Sequence, residues 1–146
     1  MDHRPENPAK IYLRRYRALV IQRDSLQRSI DAAYDRAYSC TQRLKPVHVQ
    51  GGGGVCDRMA EDVARITDAT EQLRDAKAKV DAALGEILTA INAVPDEMQK
   101  TVLMLRYVEG LEWHKVAVQI NYTEAGVYVL HGRALWNVKK WMEGRT

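Results

Sequence analysis

Phenylalanine is missing altogether from this 146-residue chain, and cysteine occurs only twice. The lack of Phe converts into no chemistry that can be named. Two cysteines, Cys40 and Cys56, are too few for a disulfide framework, so a reduced, cytoplasmic setting is the expectation. Nowhere do about 18 apolar residues run together, so no membrane-spanning helix is expected. The opening MDHRPENPAK has no apolar stretch of the kind a secretion signal needs, and export is not expected either. Strong charge of one sign is absent too: the net formal charge is only +3.

That small charge is unevenly distributed. Residues 1–45 hold 10 Lys/Arg against 5 Asp/Glu, residues 46–94 hold 5 against 8, and residues 95–146 hold 7 against 6. A basic segment followed by an acidic one suits two elements lying side by side. A nearly neutral C-terminal third argues against tight autonomous binding to a polyanion.

What the first 94 residues do have is periodicity. Tyr16, Leu19, Arg23, Leu26, Ile30, Ala33, Ala37, Cys40 and Leu44 alternate spacings of three and four. Met59, Val63, Ile66, Thr70, Leu73, Lys77, Val80, Leu84, Ile87, Ile91 and Val94 do the same. Sustained alternation of this kind predicts coiled-coil helices over about 8–44 and 57–94, each about 55 Å long. Between them lies a loop over 46–56, where Pro46 stops one helix and four consecutive glycines oppose another. Similar helix lengths and opposite charge predict a long antiparallel helical hairpin over residues 1–94. Arg23, Thr70 and Lys77 occupy core-type places, where polar residues set register or mark a further partner.

Pro95 ends the second long helix, and residues 95–146 form a second domain of three helices. In the first of these, Asp96 and Glu97 sit near the positive end, Val102, Leu103, Leu105 and Tyr107 make the apolar face, and Gly110 closes it. The next runs over 112–120. The last runs over 123–142, with Val127, Leu130, Ala134, Leu135, Val138, Trp141 and Met142 on one side. The expected fold class is therefore all-α.

Residues Trp113 to Gly132, WHKVAVQINYTEAGVYVLHG, meet a twenty-residue template. Val116, Ile120, Tyr122, Val127 and Leu130 occupy its apolar places, and Ala117 its small place, where two helices cross. Asn121 stands where φ must be positive, and Thr123 where a hydroxyl caps the second helix. This is the helix-turn-helix pattern, which places its second helix in the major groove of DNA.

The longer stretch VPDEMQKTVLMLRYVEGLEWHKVAVQINYTEAGVYVLHGRALWNVKK resembles region 4 of the sigma-70 family. The resemblance is carried by Val94-Pro95, Val102, Leu103, Leu105-Arg106-Tyr107, Gly110, Val116-Ala117, Val127 and Ala134-Leu135. Chain length, the N-terminal hairpin and the phrase VLHGRAL look more specifically like small phage-encoded regulators of the ArpU/RinA type. The resemblance covers about the last third of the chain. It implies duplex DNA binding and a role in phage transcription in the bacterial host cytoplasm, alongside host RNA polymerase. The parts of a complete sigma factor that bind the −10 element or core polymerase have no counterpart here.

On the second helix of the pattern, Glu124, Ala125, Tyr128, Val129 and Gly132 are the candidates for reading bases. Glu124 can accept from cytosine N4, and Ala125 or Val129 can meet a thymine methyl. Gly132 would let the backbone come close to the duplex. His114, Lys115, Thr123, Arg133, Lys139 and Lys140 are the candidates for phosphate, with Arg145 beyond them. Sigma-type recognition helices usually present Arg, Glu and Gln here, whereas this one presents E-A-G-V-Y-V, without the usual bidentate readers of guanine and adenine. Gly126 in the first turn costs roughly 1 kcal/mol relative to Ala.

Other features lead to bland chemistry. Cys40, His48 and Cys56 flank the loop but lack the close pair and fourth ligand of a zinc site. The four glycines lack the Gly-Lys-Ser/Thr ending of a phosphate loop. Glu109 and Glu112 have no converging base or nucleophile, Arg14, Arg15 and Arg17 read as a solvated helix face, and Trp113, Trp136 and Trp141 read as packing, with Trp136 the one expected to be exposed. No catalytic constellation is expected, and no cofactor. The expected function is a DNA-binding transcription regulator of phage origin, with the hairpin serving for homodimerisation or polymerase contact. Rivals are a small-terminase-like DNA-packaging subunit and a protein-interaction module that leaves DNA alone.

Overall fold

The computed structural model describes residues 4–43 and 53–145, with side chains for 4–39 and 58–145. All regular structure among the described residues is helical, so the protein is all-α. Two long helices come first, α1 (Pro8–Arg43) and α2 (Gly53–Asn92). Then follow α3 (Glu97–Leu103), which runs into a π-helical turn (Met104–Val108), α4 (Trp113–Ile120) and α5 (Glu124–Glu143). None of these helices is long and apolar enough to cross a membrane.

The start of α1 is written in the dipeptide Asn7-Pro8. Asn7 Oδ1 accepts from the Ala9 N–H at 3.0 Å, while Pro8 occupies the first helical position, where its missing N–H costs nothing. The second helix begins at Gly53, four residues ahead of the expected Asp57, and takes in Gly53 and Gly54. First-turn N–H groups have no intrahelical partner in any case, so glycines there forfeit entropy but no hydrogen bond. The rest of the expected glycine loop falls outside the described residues.

The chain divides into two compact units, Met1–Val20 with Val80–Thr146, and Ile21–Lys79. This differs from a break at Val94-Pro95, because the roots of both long helices share a core with the C-terminal helices. Ala9 and Leu13 of α1 and Ile87, Ala90 and Ile91 of α2 join Val94, Leu103, Tyr107, Ala134, Leu135 and Val138 in one buried cluster. Leu13, Ile87, Ile91 and Leu103 are the largest fully buried side chains in it. A second cluster in the same unit joins Val102 and Leu105 to Val116, Ala117 and Val127. In the other unit Ile30, Ile66 and Leu73 are buried, and Ser29, Ile30, Ala33 and Arg36 line a small cavity together with Asp62, Arg65, Ile66 and Ala69.

The buried seam of α2 differs from the expected one by a single residue at two positions. Ile66, Leu73, Val80 and Ile87 are buried as expected, but Thr70 and Lys77 are exposed. Their places are taken by Ala69 and Ala76, which are half-buried, and the same seven-residue spacing continues through Ala83 and Ala90, which are buried. The helix therefore presents a large aliphatic residue and an alanine alternately, each set recurring every seven residues. Alanine lets a neighbouring helix come close, which is why a stripe with little apolar surface can be a seam. Leu84 and Ile91 are packed as well, because the root of α2 is surrounded by the larger cluster. Met59 and Val63, expected inside, are exposed.

Between α3 and α4 the chain widens. The Glu109 N–H reaches Met104 O at 3.0 Å and the Leu111 N–H reaches Leu105 O at 3.0 Å, each spanning more residues than an α turn. Gly110 follows at φ 75, the left-handed conformation expected of a closing glycine. Arg17 of α1 lies against this glycine, close enough that any Cβ there would collide with its guanidinium.

Candidate nucleic-acid interface

The junction of α4 and α5 is built by three side chains whose chemistry fixes the backbone. Asn121 adopts φ 58 and ψ 44, a left-handed conformation that Asn tolerates better than other side-chain-bearing residues. Its N–H donates to Val118 O at 3.3 Å, and the Tyr122 N–H donates to Ala117 O at 3.0 Å. This paired closure satisfies two of the last carbonyls of α4 and reverses the chain. Thr123 then turns extended, and its Oγ1 accepts from the Gly126 N–H at 3.1 Å. The two helices meet through Val116, Ala117 and Val127, all buried, with Ile120 and Leu130 packed beside them.

Gly126 belongs to this corner. A Cβ there would stand 3.2 Å from Thr123 Oγ1 and 3.3 Å from Tyr122 Cδ1. Its helix penalty is thus offset by a cap that needs the space. Tyr122 itself departs from expectation, being 46% exposed rather than interior. Its ring lies against Gly126 in the first turn of α5.

The outward side of α5 carries the expected base-reading candidates, and Glu124, Ala125, Tyr128, Val129 and Gly132 are all exposed. Ala125, Val129, Gly132 and Trp136 follow one another at spacings of four, three and four, which lines them along one stripe. Tyr128 leans from its edge toward Trp113, ring centroids 5.3 Å apart. Gly132 is the odd member. Nothing lies within 4 Å of where its Cβ would be, so no intramolecular packing calls for glycine there.

The phosphate candidates differ in how committed they are. Thr123 Oγ1 is engaged in the cap, His114 Nδ1 lies 3.4 Å from Glu112, and Lys139 Nζ lies 4.0 Å from Glu143. Lys140 Nζ stands 4.4 Å above the Trp136 ring, and Arg145 stands over Trp141. Lys115 and Arg133 are exposed and make no ion pair among the described residues. The α1 arginines are occupied elsewhere: Arg14 pairs with Glu6, Arg15 with Glu86 at 3.6 Å, and Arg17 covers Gly110.

Beneath the stripe lies a polar and aromatic support that hydrophobic periodicity does not reveal. His131, on the inner side of α5, shares a 2.7 Å hydrogen bond with the Tyr107 hydroxyl and meets the Trp113 ring edge-on at 4.5 Å. Burial first, then the positive charges of Lys10 and Arg106, pushes His131 down from 6.5 to about 4. Burial likewise pushes the Tyr107 phenol up to about 12. Arg106 sits 4.5 Å over the Trp113 ring and donates to Leu111 O at 2.9 Å, tying the π turn to the start of α4. Asn137 donates to Gln99 Oε1 at 2.8 Å, pinning α5 to α3, whose own start is capped by Asp96. The available signal for His131 was its place four residues after Val127 and three before Ala134, in the middle of an apolar stripe.

Among the described residues no group of three or more His, Cys, Asp or Glu is gathered to hold a metal ion. The side chains of Cys40, His48 and Cys56 lie outside the described residues. Compared with known proteins, the chain matches no family model, no curated protein and no solved structure.

Proposed function

We propose that this protein is a DNA-binding transcription regulator of phage or prophage origin, built on a sigma-region-4-like helix-turn-helix formed by α4 and α5. Its N-terminal helices would form an antiparallel hairpin that serves for homodimerisation or for contact with host RNA polymerase. The observation that carries the proposal is the α4–α5 corner. Asn121 is left-handed, Thr123 caps α5, Ala117 is buried at the crossing, and the first turns of α5 stand exposed. This geometry presents the start of a helix to the major groove, with a second helix able to lie across the backbone. The resemblance of residues 94–140 to region 4 of the sigma-70 family supports the same assignment.

Duplex DNA is the preferred partner because cations frame the exposed stripe. Lys115 precedes it, and Arg133, Lys139 and Lys140 follow. Four such groups are enough for useful but salt-sensitive affinity, and a second copy on a neighbouring half-site multiplies it through effective concentration. For the hairpin, support comes from α1 and α2 segments lining one cavity in the unit Ile21–Lys79, and from Arg15 of α1 pairing with Glu86 of α2 in the other unit.

A mobility-shift titration of the full chain tests the proposal, using promoter duplexes from the phage that encodes it, at low salt, with and without host polymerase. A shift in either arm supports it; no shift in both refutes it. Mass measurement separates the packaging alternative, since a ring of eight or more copies indicates packaging and a monomer or dimer indicates transcription.

A further inference from the structure

We infer that the exposed stripe of α5 selects thymine-rich duplex, reading C5-methyl groups through Ala125 and Val129 while Gly132 admits the groove wall. This deepens the DNA-binding proposal above and rests on it.

The side chains at positions 125, 129 and 132 can neither donate nor accept a hydrogen bond. Val129 is 54% exposed, and Val118 of α4 is 79% exposed. In the major groove the edges of guanine, adenine and cytosine present only donors and acceptors, whereas thymine adds a methyl group. An apolar side chain held against a polar edge strips water from it without replacement. Held against a methyl, it buries apolar area on both sides. The three stripe positions Ala125, Val129 and Gly132 therefore discriminate by desolvation, against G·C and in favour of thymine.

Two observations favour nucleic acid over an apolar protein surface as the occupant. Arg133 follows Val129 by one helical turn and Lys140 by three, against the single acidic residue Glu124 beside Ala125, and both Arg133 and Lys115 of α4 are exposed and free of ion pairs among the described residues. A polyanion complements these cations, and an apolar helix does not. Gly132 adds steric evidence. A glycine inside a helix is unfavourable, and here open space surrounds the missing Cβ. Its bareness leaves room for something external to come close between Val129 and Trp136.

The test uses the full chain and a pool of random-sequence duplexes selected for binding at low salt. The selected duplex is resynthesised with deoxyuridine replacing thymine one position at a time, which removes the methyl and keeps every hydrogen-bonding group. The expected result is a thymine-containing core in which one or two substitutions weaken binding about threefold to fourfold each. Val129→Ala, at an exposed site that leaves the core intact, should erase that penalty at one of those positions. If deoxyuridine is tolerated at every position, or the selected core lacks thymine, the methyl readout is overturned while DNA binding stands. If no duplex is retained from the pool by folded protein, DNA binding itself is overturned, and the methyl readout with it.

Discussion

Replacing Gly132 with alanine should make the protein more stable and its binding weaker. The stability arm follows from local structure alone. Gly132 lies inside the 20-residue helix α5, is exposed, and has nothing within 4 Å of the position a Cβ would take. No contact is lost and no clash arises, so the helix gains the full difference in propensity, about 0.8–1.0 kcal/mol. For a chain of this length that corresponds to a rise of about 3 °C in Tm. The binding arm follows from the same open space, since a methyl added there holds the helix away from the groove. Loss of one close contact, about 1.4 kcal/mol, would weaken DNA binding about tenfold. Thermal unfolding followed by helical circular dichroism reads the first arm, and anisotropy with a selected duplex reads the second. An unchanged or lower Tm would refute the described surroundings of Gly132. A higher Tm with unchanged affinity would refute close approach at that point. Gly126→Ala is the internal control and should gain less stability, because its Cβ would crowd Thr123 Oγ1 and Tyr122 Cδ1 at 3.2 and 3.3 Å.

Further outcomes follow from the core. His131 holds its proton only below about 4 in the native protein, against 6.5 when free. The unfolded chain therefore takes up a proton that the native chain refuses as pH drops from about 6.5 to about 4. Stability should be full above that window and fall through it by on the order of 3 kcal/mol, and His131→Gln should flatten this part of the urea-midpoint profile. Tyr107→Phe removes the hydroxyl bonded to His131 and leaves a buried ring nitrogen unpartnered, a loss of about 1–3 kcal/mol by chemical denaturation. Along α2, Ala83→Leu overpacks a buried alanine and should cost about 1–3 kcal/mol. By contrast, Lys77→Ala at an exposed place should stay within about 0.5 kcal/mol. Similar effects from these two would refute the alanine seam.

The parts legible in the sequence are those in which one residue's chemistry dictates one backbone conformation. Asn121 announces a left-handed turn, Thr123 a cap and Gly110 a helix end. The apolar face of α5 was also legible, since Val127, Ala134, Leu135 and Val138 repeat at helical spacing and are all buried. What periodicity missed has a common cause, in that it weighs apolar size. Alanine contributes little to such a pattern, so periodicity points to Thr70 and Lys77, which are exposed, in place of Ala69 and Ala76, and gives no sign of Ala83 and Ala90 beside the packed Leu84 and Ile91. Histidine counts as polar, so His131 was passed over although its hydrogen bond to Tyr107 and its contact with Trp113 make it part of the core. The π turn over Met104–Val108 has no residue signature, and it arises where the chain divides its apolar residues between two clusters. Tyr122 shows the limit of a positional template, because an amphipathic ring satisfies the same place from the outside.

The account's central claim is that the α4–α5 surface holds duplex DNA by its cationic frame. It is tested most directly by the salt dependence of binding to a short mixed-sequence duplex, for the intact chain and for Lys115→Glu with Arg133→Glu. With three to four phosphates engaged, log K should fall with log salt at a slope of about −3. The double charge reversal, at two exposed positions outside the core, should lower the slope and weaken binding at every salt concentration without changing the fold. A folded protein that binds no duplex at low salt, or one whose affinity ignores both salt and the reversed charges, would contradict it.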